Sequence, residues 1–323
     1  MKPYWRVVAP AIVAAALLTP VAAFAQAYPA KSVRVIVVFP PGGSNDVVAR
    51  VVFQKMSETL GQQFVIDNRG GAAGTIGTEL VAKSPPDGYT LMVQSATHVA
   101  NAHLYKTLPY DTLGDFIGIT TLARQVAMLV VHPSMPVKTT KEFIALAKKH
   151  PGQIVYGSAG SGSFLHLTMS LLNHMTGTKM IHVPYKGGGP VNIAIASGEI
   201  QAVVATIASV IPNLKSGRVR PLGVTSEKRT TQFPDVPALA EAIPGYEFTA
   251  WIACFVPKGT PRPIVDRLNA ELKKALEHPD VAKNLSAQTL DPMHMTPEQF
   301  AERLKSDYEK YANVVKLSGA KVD

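Results

Sequence analysis

Short apolar runs alternate with helical patterns along this chain, beginning at residue 33. The run at 33–39 is almost continuously apolar, as in a strand that is buried on both faces of a parallel sheet. Apolar residues at helical spacing follow at 46–60, and Gly61 is a typical end for such a helix. Two more strands and one helix are predicted nearby, at 64–66, 89–93 and 76–82. This βαβαβ order predicts a parallel sheet with helices on both faces.

The middle of the chain repeats this alternation, and the end is helical. The predicted strands of the middle part are 127–131, 154–156, 181–183, 200–204 and 220–225. Its predicted helices are 140–150, 164–176 and 190–197. Two further helices begin near Pro261 and after Thr296, where Pro297 takes a first helical position that suits proline. Two such α/β units predict two lobes with a cleft that can close on a ligand.

The first 25 residues have the pattern of a secretory signal peptide. Lys2 and Arg6 give a basic start, residues 7–21 are mostly apolar, and Ala23-Phe24-Ala25 matches an A-x-A cleavage site. The apolar stretch is short for a membrane span and is interrupted by prolines. We therefore expect a mature chain that begins at Gln26 and is exported to the bacterial periplasm.

The length of the mature chain also favours two lobes. Removing 25 of the 323 residues leaves 298, which is more than a single core usually holds. The segments at 120–127 and 249–256 are predicted to cross between the lobes. Lobe 1 is therefore expected at 26–123, lobe 2 at 124–251, and a return to lobe 1 with the C-terminal helices at 252–323.

Three glycine-rich turns separate a predicted strand from a predicted helix, at 40–46, 70–74 and 157–163. A turn without bulky side chains that opens a helix presents free backbone N–H groups and the positive end of the helix dipole. Tight packing of a strand against a helix would explain any one of these turns. Three of them in one chain predict a protein that binds a small anion, because open α/β sheets bind ligands beyond the carboxyl ends of their strands.

The remaining composition excludes several classes of function. The net charge is +9 at pH 7, but the basic residues are scattered without interleaved aromatics, so we expect no nucleic-acid partner. The single cysteine, Cys254, excludes an intrachain disulfide and a cysteine-based metal cluster. Neither G-x-G-x-x-G nor a Walker lysine is present, and His98 and His103 lack a matching acidic pattern. We therefore predict no cofactor and no metal.

Catalysis remains an alternative. No G-x-S-x-G motif occurs, but a secreted hydrolase could pair Ser161 or Ser163 with His166 or His182. Capture of a carboxylate needs less machinery, since backbone amides and hydroxyls can satisfy its lone pairs without a second buried charge. Four serines of the first and third turns lie where such donors would point: Ser44, Ser158, Ser161 and Ser163.

Several motifs in register carry a resemblance over nearly the whole mature chain. They are Phe39-Pro40-Pro41-Gly42-Gly43 with Asp46 and Arg50, Asn68-Arg69-x-Gly71-Ala72-x-Gly74, Pro86-Asp87-Gly88-Tyr89-Thr90-Leu91, Leu108-Pro109-Tyr110-Asp111, Tyr156-Gly157-Ser158-x-Gly160-x-Gly162-Ser163-x-x-His166-Leu167 and His182-Val183-Pro184-Tyr185-Lys186-Gly187. With these motifs the chain resembles the substrate-binding receptors of tripartite tricarboxylate transporters, also called the Bug receptors.

The resemblance implies a two-lobed type II periplasmic-binding-protein fold, in which each lobe is a mostly parallel sheet flanked by helices. It implies a non-enzymatic receptor for a small organic carboxylate, either a di- or tricarboxylate or an aromatic acid. The implied partners are the membrane components of a tripartite tricarboxylate transporter, with a ligand-sensing role for a membrane signalling partner as the alternative. We expect a monomer.

The resemblance also assigns residues to the ligand site by position. Those expected to line the cleft come from the first turn, the end of the third strand, the third turn and the strand that follows residue 200. They are Gly43, Ser44, Asp46, Ser95, Ala96, Thr97, Ser158, Gly160, Ser161, Gly162, Ser163 and Thr206.

Overall fold

The computed structural model describes residues 28–185 and 188–320, so the predicted signal peptide lies outside the described residues. The strands of this part, in chain order, are β1 (Val33–Val37), β2 (Phe64–Asn68), β3 (Thr90–Ser95), β4 (Phe116–Gln125), β5 (Ala127–Val131), β6 (Val155–Ser158), β7 (Ile181–Pro184), β8 (Ala202–Thr206), β9 (Arg220–Val224), β10 (Ala250–Pro257) and β11 (Leu290–Pro292). The helices are α1 (Ser44–Leu60), α2 (Thr75–Ala82), α3 (Thr97–Leu104), α4 (Thr140–Lys149), α5 (Phe164–Thr176), α6 (Gly188–Ser197), α7 (Ile207–Lys215), α8 (Arg262–Glu277), α9 (Pro279–Ala287) and α10 (Pro297–Ser318). In this part of the chain, no helix combines the length and the apolar character that a membrane crossing requires.

Two sheets with flanking helices confirm the predicted two-lobed α/β fold. The first sheet has the strand order β11-β4-β10-β3-β1-β2, and the second has the order β7-β6-β8-β5-β9. Both sheets are mixed, whereas the sequence predicted mostly parallel ones. Strands β1, β2 and β3 are parallel, but β10 is antiparallel to β3 and β4, and β5 is antiparallel to β8 and β9. Strands β5 and β10 each begin where the chain enters their sheet from the other one, and the edge strand β11 is antiparallel to β4 as well.

The chain passes between the sheets at two places. Strand β4 of the first sheet ends at Gln125 and β5 of the second begins at Ala127, so the first crossing is a single residue long. The return lies between β9 and β10. The predicted borders at 123/124 and 251/252 fall inside β4 and β10, because Ala250 pairs with Gln125 and Trp251 with Arg124 in the first sheet. Strand pairing moves both borders by about two residues, and the division into lobes stays a prediction.

Helix α10 contacts elements that belong to both sheets. On the first-lobe side, Trp251 Nε1 donates to Asp307 Oδ2 at 2.8 Å, and His103 Nε2 contacts the Tyr308 carbonyl at 2.8 Å. On the other side the helix packs against α5, and its Tyr311 meets Phe248, whose ring stacks on Phe164 of α5. The last helix therefore contacts both halves of the molecule.

One buried histidine belongs to the core of the first lobe. His98 of α3 is fully buried, contacts the rings of Tyr110, Phe116 and Phe255, and donates from Nε2 to the Thr112 carbonyl at 2.9 Å. Burial lowers the pKa of His98 from 6.5 to about 4. The ring is therefore neutral in the folded protein at neutral pH.

We expect the free energy of unfolding to fall as the pH decreases from 6.5 towards 4. In that range the unfolded chain binds a proton at His98 that the folded protein does not bind, and the pKa difference corresponds to at most about 3 kcal/mol. Urea unfolding at about pH 7 and about pH 4.5 measures the loss. His98→Gln keeps an N–H donor for Thr112 but does not titrate, so this variant should lose less stability between the two pH values. An equal loss in both proteins would contradict the assignment.

Candidate functional site

Asp46 holds the first glycine-rich turn from the side that faces the core. The residue is 3% exposed, and its carboxylate accepts hydrogen bonds from the Gly42 amide at 2.9 Å and from Asn68 Nδ2 at 3.0 Å. Arg50, one helical turn on, binds the same carboxylate through Nε at 3.0 Å and Nη2 at 2.9 Å. Burial acts to raise the pKa of Asp46, but the bonds from Arg50, Gly42 and Asn68 lower it below its usual value. With both oxygens engaged, Asp46 shapes the turn and is not available to an anionic ligand.

The amides at the start of α1 are the donors that this turn leaves open. Gly43 is the N-cap in an extended conformation and gives no side-chain cap. Among the described residues, the N–H groups of Ser44, Asn45 and Asp46 have no acceptor, as expected for the first turn of a helix. The Ser44 hydroxyl accepts from Gln125 Nε2 at 3.2 Å, which leaves its own proton free to donate.

The loop between β3 and α3 contributes one open hydroxyl. Ser95 Oγ donates to Thr97 Oγ1 at 3.0 Å, and the Ala96 amide donates to the Trp251 carbonyl at 3.0 Å. Ser95 and Ala96 are buried, while Thr97 is half-buried and retains its hydroxyl proton. Of these three predicted site residues, Thr97 can donate to a ligand and the other two hold the loop.

The third turn is organised by two histidines. Ser158 is fully buried and bonds to Gly160 and to His182 Nε2, the latter at 2.7 Å. The Gly162 amide donates to His166 Nδ1 at 3.0 Å. Ser163 Oγ caps α5 by accepting from the His166 amide at 3.3 Å.

These bonds leave Ser161 as the open side chain of the third turn. Ser161 is exposed, and neither its hydroxyl nor its amide has a partner among the described residues. The first amide of α5, that of Phe164, is also without an acceptor there. Ser158 and Ser163, by contrast, use their hydroxyls in hydrogen bonds within the turn and support its shape.

Contacts between the halves place these segments in one region. Gly162 packs on Leu104 of α3, so closely that an added Cβ would lie 2.5 Å from Leu104 Cδ1. Thr206, the N-cap of α7, pairs with Ala127 just after the first crossing, and its hydroxyl has no described partner. Gln125, at the same crossing, binds Ser44. The third turn therefore meets lobe 1 directly, and Thr206 and Ser44 lie on either side of the crossing.

The second glycine-rich turn has a packing role. Added Cβ atoms on Gly74 and Gly77 would lie 2.9 Å from side-chain atoms of Val38, and one on Gly70 would lie 3.0 Å from the Pro40 ring. These glycines let α2 approach β1 and support the first turn. The close approach of these glycines explains the second turn without a ligand.

The hydrolase alternative finds no assembled catalytic group among the described residues. Ser163 Oγ contacts the backbone of His166 rather than a ring, and Ser158, the serine of the third turn that binds an imidazole, is fully buried. The rings of His166 and His182 stack at 3.9 Å between centroids. Burial lowers the pKa of both to about 4, with His182 adding to the effect on His166, so both are weak bases.

The family is decided by comparison with known sequences. Residues 48–319 match the model of the tripartite tricarboxylate transporter family receptor. The chain belongs to this receptor family. Receptors of this family are periplasmic solute-binding proteins.

Three known proteins show how far the likeness of this receptor extends. A protein of Pseudomonas sp. strain P51, from the tcbD-tcbE intergenic region, is 38% identical over 90% of this chain and 87% of its own length. Rpa4515 of R. palustris, solved with adipate, is 34% identical with a TM-score of 0.84, covering 91% of this chain and 100% of that one. MatC from Rhodopseudomonas palustris, solved with bound malate, is 32% identical with a TM-score of 0.78, covering 89% of this chain and 100% of that one.

We expect Asp46→Asn to loosen the first turn of the receptor. The variant removes a buried charge that accepts from Gly42, Asn68 and Arg50, so the free energy of unfolding should fall by about 1–3 kcal/mol. Exchange of the Gly42 amide with solvent, measured by NMR, should become faster.

The matched control is Asp266→Asn in α8, which breaks an Arg–Asp pair of the same spacing on an exposed helix face. Its effect on stability should stay below about 0.5 kcal/mol. Equal effects in the two variants would show that Asp46 does not hold the turn.

Proposed function

We propose that this receptor captures a small organic carboxylate between its lobes, as a di- or tricarboxylate or an aromatic acid, and delivers it to membrane components of a tripartite tricarboxylate transporter. The observation that carries this proposal is the set of unpaired amides at the start of α1 and in the third turn. The adipate and malate of the two R. palustris structures are both dicarboxylates and support the ligand class.

Neutral donors at two helix ends suit a carboxylate. In the proposed site the amides of Ser44 to Asp46 and the hydroxyls of Ser44 and Thr97 face one side of the ligand. Ser161 and the first amide of α5 face the other. Each helix start adds the positive end of its dipole, and hydrogen bonds to a charged acceptor are stronger than neutral ones. A carboxylate enclosed without such donors would lose its hydration with no compensation.

Closure of the lobes completes the proposed site. The first crossing is a single residue, and Gln125 on one side of it binds Ser44 while Ala127 on the other pairs with Thr206. A rotation about this crossing changes the distance between the two sets of donors without breaking either set. The proposal therefore assigns the hinge to residue 126 and the capture to closure.

The signal pattern at 1–25 and the family support a periplasmic location for the mature receptor. We propose a non-enzymatic monomer with no cofactor, metal or nucleic-acid partner. Delivery of ligand to a membrane signalling protein is the second candidate, and it requires the same capture step.

The test is titration calorimetry with adipate and malate on two variants of one residue. Ser44→Ala keeps the amide and loses the hydroxyl. Ser44→Pro also removes the amide, at a first helical position where proline fits and after a residue that is already extended. If the amide donates to the ligand, Ser44→Pro should bind about 10- to 100-fold more weakly than Ser44→Ala, the effect of one charge-assisted hydrogen bond of about 1.5–3 kcal/mol.

Unfolding curves control for damage to the fold, since both variants should be about as stable as the parent without ligand. Equal affinities of the two variants would remove the amide from the site. Absence of binding by the unmodified receptor to every di- and tricarboxylate and aromatic acid tried would overturn the proposed ligand class.

A further inference from the structure

A cavity lies beside the third turn, and Ser161, which belongs to the proposed cleft site, also lines it. Its volume is about 570 Å³, within the range of small-molecule sites. One wall is α5, a second is formed by β6 and β7, and the end of α10 closes a third. No aspartate or glutamate is among the lining residues.

The wall formed by α5 carries a polar stripe. His166, Ser170 and Asn173 follow one another at helical spacing and all line the cavity, while the intervening Leu167 and Leu172 are fully buried. A polar stripe on an otherwise apolar helix needs partners, and here it faces open space. His166 is only 5% exposed, yet its Nε2 has no partner among the described residues.

Hydrogen bonds determine which atoms of His166 and Asn173 remain free to donate to a ligand. The Gly162 amide donates to His166 Nδ1, and the neutral ring must therefore carry its proton on Nε2, which is left to donate. Thr178 Oγ1 donates to Asn173 Oδ1 at 2.8 Å, which leaves Nδ2 as the free end of that amide. Both ends of the stripe thus present donors, so the cavity suits a ligand rich in acceptors.

The spacing of the two donors and the apolar residues on the other walls restrict which ligands fit the cavity. His166 and Asn173 are seven positions apart, or about 10 Å along the helix axis. Met180, Leu317 and Ala320 supply apolar surface on other walls. A chain of methylene groups with a carboxylate at each end matches both features.

We infer that this cavity is a second binding site, for an aliphatic dicarboxylate, with His166 Nε2 and Asn173 Nδ2 as donors to its two ends. The cavity shares Ser161 with the proposed cleft site but uses no residue of the first turn or of the loop between β3 and α3. It is linked to the third turn, since His166 also holds Gly162.

NMR titration with adipate on the isotopically labelled receptor tests the inference through the imidazole signals of His166. We expect these signals to move and saturate, and acetate, which reaches one donor only, to bind at least about 10-fold more weakly. Asn173→Asp keeps the acceptor for Thr178 and replaces the donor with a negative charge, so it should weaken adipate binding at least about 10-fold. The same charge change at exposed Asn284 of α9 is the control and should have no effect.

Ser44→Pro separates this site from the cleft. The inference predicts that the His166 signals still respond to adipate in that variant. If the His166 signals do not move when adipate saturates the cleft of the unmodified receptor, the cavity inference fails. The proposed function then stands. A response that disappears in Ser44→Pro would also overturn it, since the signals would then report the cleft through the third turn.

A response of the His166 signals, together with equal adipate affinities of Ser44→Ala and Ser44→Pro by calorimetry, would instead remove the cleft amide and retain the cavity. If Asn173→Asp does not fold, a second variant, Ser170→Leu, tests the same cavity by filling it. It should abolish the response with Asn173 unchanged, and an undiminished response in a folded Ser170→Leu protein would contradict the inference.

Discussion

Buried side chains that hold a turn from its inner side are the constraint on which the proposed site depends. Asp46 binds the first turn, and His166 and His182 bind the third, each by accepting or sharing bonds on the core side. The outward amides are then fixed in direction and have no partner within residues 28–185 and 188–320. Such donors are satisfied by water in an open cleft, but in a closed one they need another acceptor. In the proposed mechanism a closed state without a suitable ligand is therefore disfavoured, which would couple closure to binding.

The parts of the fold that depend on local pattern were predictable, and those that depend on distant pairing were not. Helices α1 and α5 were predicted from apolar spacing and their caps, close to their observed bounds. Helix α3 was missed because two of its inward residues, His98 and Asn101, are polar yet fully buried. Strand β4 contains Gly118, Thr120 and Thr121 and pairs with β10, more than a hundred residues later. Nothing near it in sequence indicates that partner.

The candidate site shows the same division. The glycine pattern located the two turns, but the side chains that organise them were assigned to the ligand or left out. The Asp46–Arg50 pair lies at i,i+4 on one helix and could have been inferred locally. The bond between Ser158 and His182 depends on the register of β6 against β7, which aligns Tyr156 with His182. Sequence spacing of 24 residues carries no such information.

The contact between Gly162 and Leu104 restricts how this receptor can acquire a new ligand preference. Gly162 has a φ of +74°, and a larger residue there would be strained and would have to displace the Leu104 side chain of the other lobe. Ser161, its exposed neighbour, has no such restriction. Two adjacent positions thus differ in their freedom to vary, and position 161 can admit chemical diversity that position 162 cannot.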